Sequence, residues 1–510
     1  MKQLVFGTLP SRSTDQATVT MGDASESSQH ELKGQLLELS QLVEPAEVLH
    51  AYAEDYISNT QTWSTAKDKK PRLVLRPTTI ESLCRVIKYL HDTGLDYKVR
   101  SQGFGSASAT DVLISLSAFD DFEFYKEEEY VILGAGGNWR GYYDRMEAAA
   151  LDWSIVPART PSIGIGGSTL CSGFSWLSSQ YGCVSDPANL LDAHVITTDG
   201  RAFWAAEVDP DLMWALRGTE TGFAIVTHFK FRARPFPENG KLWAGPILIP
   251  RTKVAEVAKG IMSMAEKDKQ GEMSDRVAMF LYVMRKELLA FIGATQDMLV
   301  VHAYDARGEA AGREEFRWAL EMEGAVDQTR GDMTMGEVGR LQEHIGELRG
   351  TAEAYWAPIC LTGEDEISED IIKKSFGWWT SMLDEPSSIA NYGYLLYELF
   401  SCKDNLTGRH SSAWPRPVGY KHMLLLGAGC APNETKEISD AAKRSIMRGP
   451  EAILGKTMKE VDIVPNCIED YHDVERIYGS HFEKLRQVKT RVDPGDRLRG
   501  WIKPSRHESG

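Results

Sequence analysis

Residues 160–169 read Thr-Pro-Ser-Ile-Gly-Ile-Gly-Gly-Ser-Thr, and this stretch says more about the fold than any other part of the chain. Its glycines, Gly164, Gly166 and Gly167, fall within four positions and stand beside small hydroxylated residues. A chain accepts the conformational cost of so much glycine mainly where its backbone turns sharply or touches something closely. Backbone N–H groups bared in this way form concave sites for phosphate or carbonyl oxygens. The stretch therefore predicts an oxygen-binding loop, with a plain glycine-rich turn as the alternative.

Composition bounds the class of protein. The chain has 510 residues, which is too long for one ordinary hydrophobic core, so we expect at least two domains. It is 42% hydrophobic without an apolar run long enough to cross a bilayer, so no membrane partner is expected. A formal net charge of -16 argues against nucleic acid as a partner. The N-terminus lacks a secretory signal and the seven cysteines lack paired spacing, which predicts a cytoplasmic protein without a metal site.

The composition and the predicted secondary structure change along the chain. Residues 1–35 are predicted to be a mobile lead-in, because 10–31 are rich in polar residues, and regular structure is expected from Leu36 onward. A strand–helix–strand rhythm begins at Pro71 and ends near Pro235 and Pro237. Further strands and helices are predicted after that point, without another glycine-rich loop of this kind. The end of the chain is again predicted to be helical.

A second loop of small residues, 101–106, follows the strand-like segment 97–99. We call residues 101–106 the first cradle and the glycine stretch that begins at Thr160 the second cradle. Two such loops in one domain suit a ligand with a pyrophosphate and a long polar tail better than they suit a ligand with a single phosphate. The glycine run at 134–139 is not a nicotinamide fingerprint, because Trp139 stands where its third glycine belongs. Residues 173–182 are predicted to be helical, with Phe174 and Leu177 facing inward.

The order of short motifs resembles that of the FAD-linked oxidases of the vanillyl-alcohol oxidase superfamily, and the berberine-bridge-enzyme-like branch is nearest. The motifs are VRSxG at 99–103, GAGxxW at 134–139, PSIGIGG at 161–167, GFSWLSSQYG at 173–182 and LMWALRG at 212–218. Residues 478–501 are similar to the closing segment of that branch. Because the motifs occur in the family's order over about half of the chain, the resemblance is specific.

The resemblance implies an α+β fold with a PCMH-type FAD-binding domain built from two parts, 36–237 and 456–510. An α+β substrate domain with an antiparallel sheet backed by helices would be inserted between them, at 238–455. FAD would lie extended, its pyrophosphate on the first loop and its ring on the second. The implied cofactor contacts are Arg100, Ser101, Gln102, Gly103, Phe104, Gly105, Ser106, Thr160, Ser162, Gly164, Gly166, Gly167, Gly173, Asp186, Ile225 and Asn466.

Two departures from the family concern attachment of the flavin. Many members tether the flavin through a histidine in the first loop and a cysteine before the glycine run. This sequence has Phe104 at the first position and Thr160 at the second, and neither side chain can form the bond. Cys171 lies on the wrong side of the glycines. The sequence therefore predicts noncovalent FAD.

The catalytic residues are less well defined by the sequence. The family's C-terminal tyrosine position holds Val464, although Asn466 keeps its place. On the inserted domain, alternation over 391–398 predicts a strand with Tyr392, Tyr394 and Glu398 on one face, and Glu398 could act as a base there. A satisfied polar row on a sheet face is the alternative interpretation. His410 and Arg416, the latter at a position where the family has histidine, are further candidates.

The leading functional hypothesis is an FAD-dependent oxidoreductase that takes a hydride from a small or medium organic substrate, with molecular oxygen as a candidate acceptor. A redox-neutral FAD isomerase or cyclase on the same fold is the main alternative, favoured by the loss of both tethers and of the tyrosine. A cofactor-free carrier is the third. By analogy with the family, the substrate belongs to specialised metabolism.

Overall fold

The structure, a computed structural model, describes residues 26–237, 241–286, 296–400, 412–417 and 422–505. Its first part, up to residue 237, carries three small sheets. The strands are β1 Leu73–Leu75, β2 Tyr97–Arg100, β3 Val112–Ser115, β4 Phe122–Tyr125, β5 Tyr130–Gly134, β6 Trp153–Ser154, β7 Leu190–Ile196, β8 Ala202–Trp204, β9 Ile225–Arg232 and β10 Arg234–Pro235. The helices are α1 Glu26–Ser40, α2 Tyr56–Thr60, α3 Ile80–Asp92, α4 Trp139–Ala149, α5 Ile165–Leu170, α6 Ser178–Tyr181, α7 Ala205–Val208 and α8 Pro210–Leu216.

The first sheet is parallel in the order β1-β3-β2, the second is antiparallel in the order β4-β5-β9-β7-β8, and β6 pairs with β10. Helix α3 follows the sequence pattern closely. Thr79 caps it by accepting a bond of 3.1 Å from the Ser82 N–H. Its apolar residues at helical spacing are all buried, namely Leu83, Val86, Ile87 and Leu90. They pack under the parallel sheet, which fixes the strand end from which the loop 101–106 emerges.

The inserted part is built on one antiparallel sheet of eight strands. Its strands are β11 Leu242–Pro250, β12 Val277–Met284, β13 Met298–Asp305, β14 Val326–Asp327, β15 Arg330–Met333, β16 Glu353–Leu361, β17 Tyr394–Phe400 and β18 His422–Cys430. The helices are α9 Val254–Lys269, α10 Glu309–Glu315, α11 Arg317–Leu320, α12 Met335–Arg340, α13 Glu369–Ser381, α14 Ser387–Ala390 and α15 Lys436–Leu454. The sheet order is β14-β11-β13-β12-β17-β18-β16, with β15 also on β11. An antiparallel sheet backed by helices agrees with the predicted α+β fold class.

The C-terminal segment returns to the first part of the chain. Its helices are α16 Val474–Tyr478 and α17 Phe482–Val492. Lys489 on α17 is fully buried and donates to the Gly222 carbonyl at 2.7 Å and to Asp493 at 2.6 Å. Because Gly222 precedes β9, this contact joins the C-terminal segment to the first part of the chain. One large hydrophobic cluster runs through the five-stranded sheet, the inserted sheet and these helices.

Two local predictions were wrong. The helix α1 begins at Glu26, inside the predicted lead-in, because Leu32 and Leu36 already pack on the cluster beneath the parallel sheet. Residues 173–182 are helical only at Ser178–Tyr181, although Phe174 and Leu177 are buried as predicted. Within the described residues, no helix is long and apolar enough to cross a membrane.

Candidate functional site

The first cradle leaves strand β2 at Arg100 and is fastened to the turn after β5. The Ser101 hydroxyl donates to the Ala135 carbonyl and the Gln102 amide to the Gly136 carbonyl, both at 2.6 Å. Gly103 has a φ of +80°, and a Cβ there would lie 2.2 Å from the Arg100 guanidinium. Only glycine therefore fits at this position without displacing Arg100. The last residue of the cradle, Ser106, accepts a bond from the Ser64 N–H at 3.0 Å.

The second cradle is the glycine stretch, which leads into helix α5. A Cβ on Gly164 would lie 2.5 Å from the Ser101 hydroxyl, and one on Gly166 would lie 2.8 Å from the Ala135 carbonyl. These two glycines thus let the second loop pack on the first one, rather than only sparing room for a ligand. Gly167 differs, because a Cβ there meets nothing within 4 Å. The open side of the loop is therefore at Gly167.

Several buried polar atoms at the two cradles have no hydrogen-bond partner in the described part of the chain, which marks a site for a polar ligand. They include Nε and Nη1 of Arg100 and the hydroxyl oxygens of Ser162 and Thr169. A cavity of about 150 Å³ adjoins the first cradle and is lined in part by Gln102, Gly136 and Asn138. Because leaving such groups unpaired is unfavourable, the arrangement fits a long ligand rich in oxygen atoms, and FAD is of that kind.

The two positions at which relatives in the resembled family attach flavin hold side chains already engaged elsewhere. Phe104 stacks on Trp63, with ring centroids 4.9 Å apart and planes 28° apart. Thr160 is buried, and its hydroxyl donates to the Gln342 amide oxygen at 3.2 Å. Cys171 ends helix α5, where burial raises the pKa of its thiol. No imidazole or thiol stands at either position.

An ion pair joins the second cradle to the inserted sheet. Arg159, directly before Thr160, donates through Nη2 to Glu398 Oε1 on β17 and through Nη1 to the Tyr282 hydroxyl on β12, both at 2.6 Å. Its guanidinium also lies 4.2 Å from the centre of the Phe280 ring. Burial raises the pKa of Glu398, and Arg159 opposes that rise. The other carboxylate oxygen, Oε2, is buried without a partner among the described residues.

The predicted strand face is only partly correct. Tyr394 and Glu398 lie on β17 at spacing that points both side chains to one face, and Arg159 and Cys467 interact electrostatically with Tyr394. Tyr392 lies in the turn before the strand, where its N–H donates to the Ile389 carbonyl. Burial, and then the electrostatic effect of Cys430 and Glu434, raises the pKa of Tyr392, whereas Arg159 and Cys467 act on Tyr394, so Tyr392 is not part of this group.

The C-terminal segment reaches the same place. Ile463 bridges to Ile359 on β16, and the Val464 N–H donates to the Pro358 carbonyl at 2.8 Å. This pairing carries Asn466 to the site with its amide oxygen buried and without a hydrogen-bond partner in the described part of the chain. Cys467 is next along the chain and interacts electrostatically with Glu398.

Five other residues were predicted as site residues. Arg416 and Asp186, predicted separately as a catalytic and a cofactor residue, form one ion pair in which both side chains are buried. Gly173 has a φ of +67°, and a Cβ there would meet Val184 at 2.7 Å. Ile225 belongs to the hydrophobic cluster beneath the parallel sheet. A further candidate, His410, lies outside the described residues.

Sequence reasoning missed Arg159, Tyr282 and Gln342. Gln342 accepts the bond from the Thr160 hydroxyl, and its amide nitrogen is buried without a hydrogen-bond partner among the described residues. Arg159 carried one available signal, since it directly precedes the glycine stretch. Tyr282 and Gln342 carried none, because only the folded sheet brings them to that stretch.

Comparison with known proteins agrees with this geometry. Residues 71–206 match a family described as an FAD binding domain. The FAD-linked oxidoreductase iacH of Pestalotiopsis fici is 23% identical over 499 residues, covering 93% of this chain and 90% of its own. The chain thus contains an FAD binding domain and is similar to FAD-linked oxidoreductases. The predicted resemblance to FAD-linked oxidoreductases and the predicted FAD-dependent oxidoreductase class are confirmed.

Solved structures show the same fold. A xylooligosaccharide oxidase from Myceliophthora thermophila C1 superposes on this oxidoreductase with a TM-score of 0.73 at 17% identity, covering 93% of this chain and 99% of its own. A variant of berberine bridge enzyme superposes with a TM-score of 0.74 at 15% identity, covering 92% of this chain and 100% of its own. The fold of the berberine-bridge-enzyme-like branch is therefore confirmed.

Proposed function

We propose that this oxidoreductase removes a hydride and a proton from a small or medium organic substrate of specialised metabolism, with FAD bound without a covalent link. The buried Arg159–Glu398 pair between the second cradle and the inserted sheet is the observation that carries the proposal. It puts a carboxylate beside the loop that the resemblance assigns to the flavin ring. When bound, FAD supplies the two-electron acceptor.

Glu398 is suited to accept the proton of the substrate. Its side chain is 2% exposed, and Oε2 has no hydrogen bond from the described residues while Oε1 is held by Arg159. A carboxylate with one anchored oxygen keeps a fixed direction for the other. Burial also raises its pKa, which makes it a stronger base than an exposed glutamate.

Arg159 and its neighbours orient that base. Arg159 bonds to both Glu398 and Tyr282, and its positive charge favours the ionised form of Glu398. Tyr394 lies four residues before Glu398 on the same face of the strand and has a polar hydroxyl to offer the substrate. The buried neighbours of the group exclude water from the reacting atoms, which strengthens these interactions.

Noncovalent attachment is proposed from the side chains at the two tether positions. Phe104 is stacked on Trp63, and Thr160 is hydrogen-bonded to Gln342, so both are part of the packing of the site. The cofactor would instead be held by the backbone donors of the two cradles and by the unpartnered polar groups around them.

Anaerobic mixing tests the redox role. The holoenzyme is mixed with a panel of secondary alcohols, phenols and cyclic amines, and product formation and the yellow flavin band are followed together. We expect bleaching in step with substrate consumption, and recovery of the colour when air is admitted if oxygen is the acceptor. Turnover of a panel compound without any bleaching would overturn the proposed reaction.

A redox-neutral isomerase or cyclase is the second candidate, and one observation favours it. The family's tyrosine position holds Val464, whose side chain has no hydroxyl to offer the substrate. Glu398 could then take a proton from the substrate and return it elsewhere on the same molecule. The anaerobic experiment separates the two functions, because this candidate forms product with the flavin band unchanged.

A further inference from the structure

We propose that Arg349 of the inserted part acts with Arg100 of the first cradle to bind the diphosphate group of FAD. The inference rests on the proposed noncovalent FAD. It assigns to the inserted part a role in holding the cofactor, in addition to its expected role as the substrate domain.

The two arginines converge on the same backbone oxygens. Arg349 donates through Nε to the Gln61 carbonyl at 3.0 Å and through Nη2 to the Ser58 carbonyl at 3.1 Å. Arg100 donates through Nη2 to these carbonyls at 3.2 Å and 3.3 Å. Two guanidinium groups that share two acceptors must be close neighbours. They come from different parts of the chain and meet at segment 58–61.

In the part of the chain that the structure describes, no carboxylate forms an ion pair with Arg100 or Arg349, although Asp68 acts electrostatically on Arg100. Arg100 is 3% exposed, and its Nε and Nη1 are buried without hydrogen-bond partners among the described residues. Burial, and then the charge of Arg349, lowers the pKa of Arg100 to about 9, while burial lowers the pKa of Arg349 to about 10. A buried and a half-buried cation without an ion pair among the described residues are costly, so a bound anion would stabilise the arrangement.

The position of the pair selects a diphosphate. Arg100 opens the cradle 101–106, and its Nη2 donates to the Gln102 carbonyl of that loop at 3.1 Å. Arg349 reaches the same loop from outside, with its guanidinium 6.0 Å from the centre of the Phe104 ring. Two guanidinium groups match the two charges of a diphosphate, and their planar N–H forks suit phosphate oxygens.

The binding of FAD would then connect the two parts of the protein. Arg349 ends a segment that packs on helix α4, where Arg340 pairs with Asp144 at 3.0 Å and with Glu147 at 2.8 Å. Gln342 in the same segment contacts Thr160 on the second cradle. A diphosphate held by both arginines would fasten this segment to the first cradle as well, which compensates for the missing covalent tethers.

Competition with ADP and adenosine tests the inference without any need for a substrate. The holoenzyme is titrated with each competitor, and released FAD is measured by its fluorescence. For R349Q we expect FAD and ADP to bind about 10-fold or more weakly, with adenosine almost unchanged. R349K should fall between wild type and R349Q. The matched control is R317Q, because Arg317 is exposed and pairs only with the neighbouring Glu314 among the described residues.

The outcomes separate the two proposals. Folded R349Q whose ratio of ADP to adenosine affinity equals that of wild type would overturn the role of Arg349. This outcome includes an equal loss of affinity for both competitors, which would indicate a structural role. A wild-type protein that binds no flavin would instead overturn the proposed function. Thermal unfolding of the FAD-free variants confirms that the comparison is made between folded proteins.

Discussion

Arg159 and Glu398 are 239 positions apart in the sequence, yet Nη2 of the arginine lies 2.6 Å from Oε1 of the glutamate. The pair joins the residue that precedes the second glycine cradle to the middle strands of the inserted sheet. It therefore couples the cofactor loop to the surface above it. Because both side chains are largely buried, the strength of this contact is little weakened by salt.

The first prediction concerns Glu398 as the base. E398Q keeps the shape of the side chain and removes its ability to accept a proton, so kcat should fall by about 100- to 10,000-fold. FAD affinity should stay the same. The matched control is E353Q on β16. Among the described side chains, only Cys430 donates a hydrogen bond to the Glu353 carboxylate. E398Q with wild-type turnover would exclude the glutamate as base.

The second prediction concerns pH. Arg159 favours the ionised form of Glu398 and opposes the rise in its pKa caused by burial. In R159Q that opposition is lost, so the pKa of Glu398 should rise further. The rate depends on the ionised form, and the acidic limb of kcat/KM should therefore move to higher pH. R159K should keep most of the wild-type profile. A limb that stays in place would show that Arg159 does not govern the base.

The third prediction contrasts two glycines of the same loop. G164A puts a methyl group 2.5 Å from the Ser101 hydroxyl and should lower the free energy of unfolding by about 1–3 kcal/mol, with or without FAD. G167A meets no atom within 4 Å and should leave the FAD-free protein as stable as wild type. FAD affinity should nevertheless fall in G167A, since that side is the one left open. Thermal unfolding and flavin titration check both, and unchanged FAD affinity in G167A would show that the cofactor does not approach there.

The fourth prediction concerns the ion pair of Arg416 and Asp186. Removing one partner of a buried pair leaves the other charge unpaired, so R416M should cost about 3–5 kcal/mol in urea unfolding. The double variant R416M/D186L should recover much of that loss. R313M is the control, because its partners Glu309 and Asp327 are much more exposed, and it should cost at most about 1 kcal/mol. A double variant as unstable as R416M would contradict an ion-pair role.

The sequence predicted well where neighbouring residues carry the information. The glycine stretch, the cap at Thr79 and the buried face of α3 depend on spacing within a few residues. The placement of Tyr394 and Glu398 on one strand face was predicted correctly because strand alternation is also local. Tyr392 was misplaced because a turn, fixed by the bond to Ile389, delays the start of the strand until Tyr394.

The remaining parts of the site depend on contacts between distant segments. Gln342 meets Thr160 across 182 positions and Arg349 meets Gln61 across 288. No periodicity reports such pairs. The physical role of Gly164 and Gly166 was likewise hidden, because the atoms that exclude a side chain there belong to other segments of the chain.

The most direct test of the central claim is the fate of the flavin when the purified yellow protein is denatured. The holoenzyme is precipitated with acid, and flavin absorbance is measured in the pellet and in the supernatant. With Phe104 and Thr160 at the tether positions, the flavin should be recovered in the supernatant as intact FAD. Flavin that stays with the protein pellet after washing would contradict noncovalent binding and reveal a link from a residue at neither position.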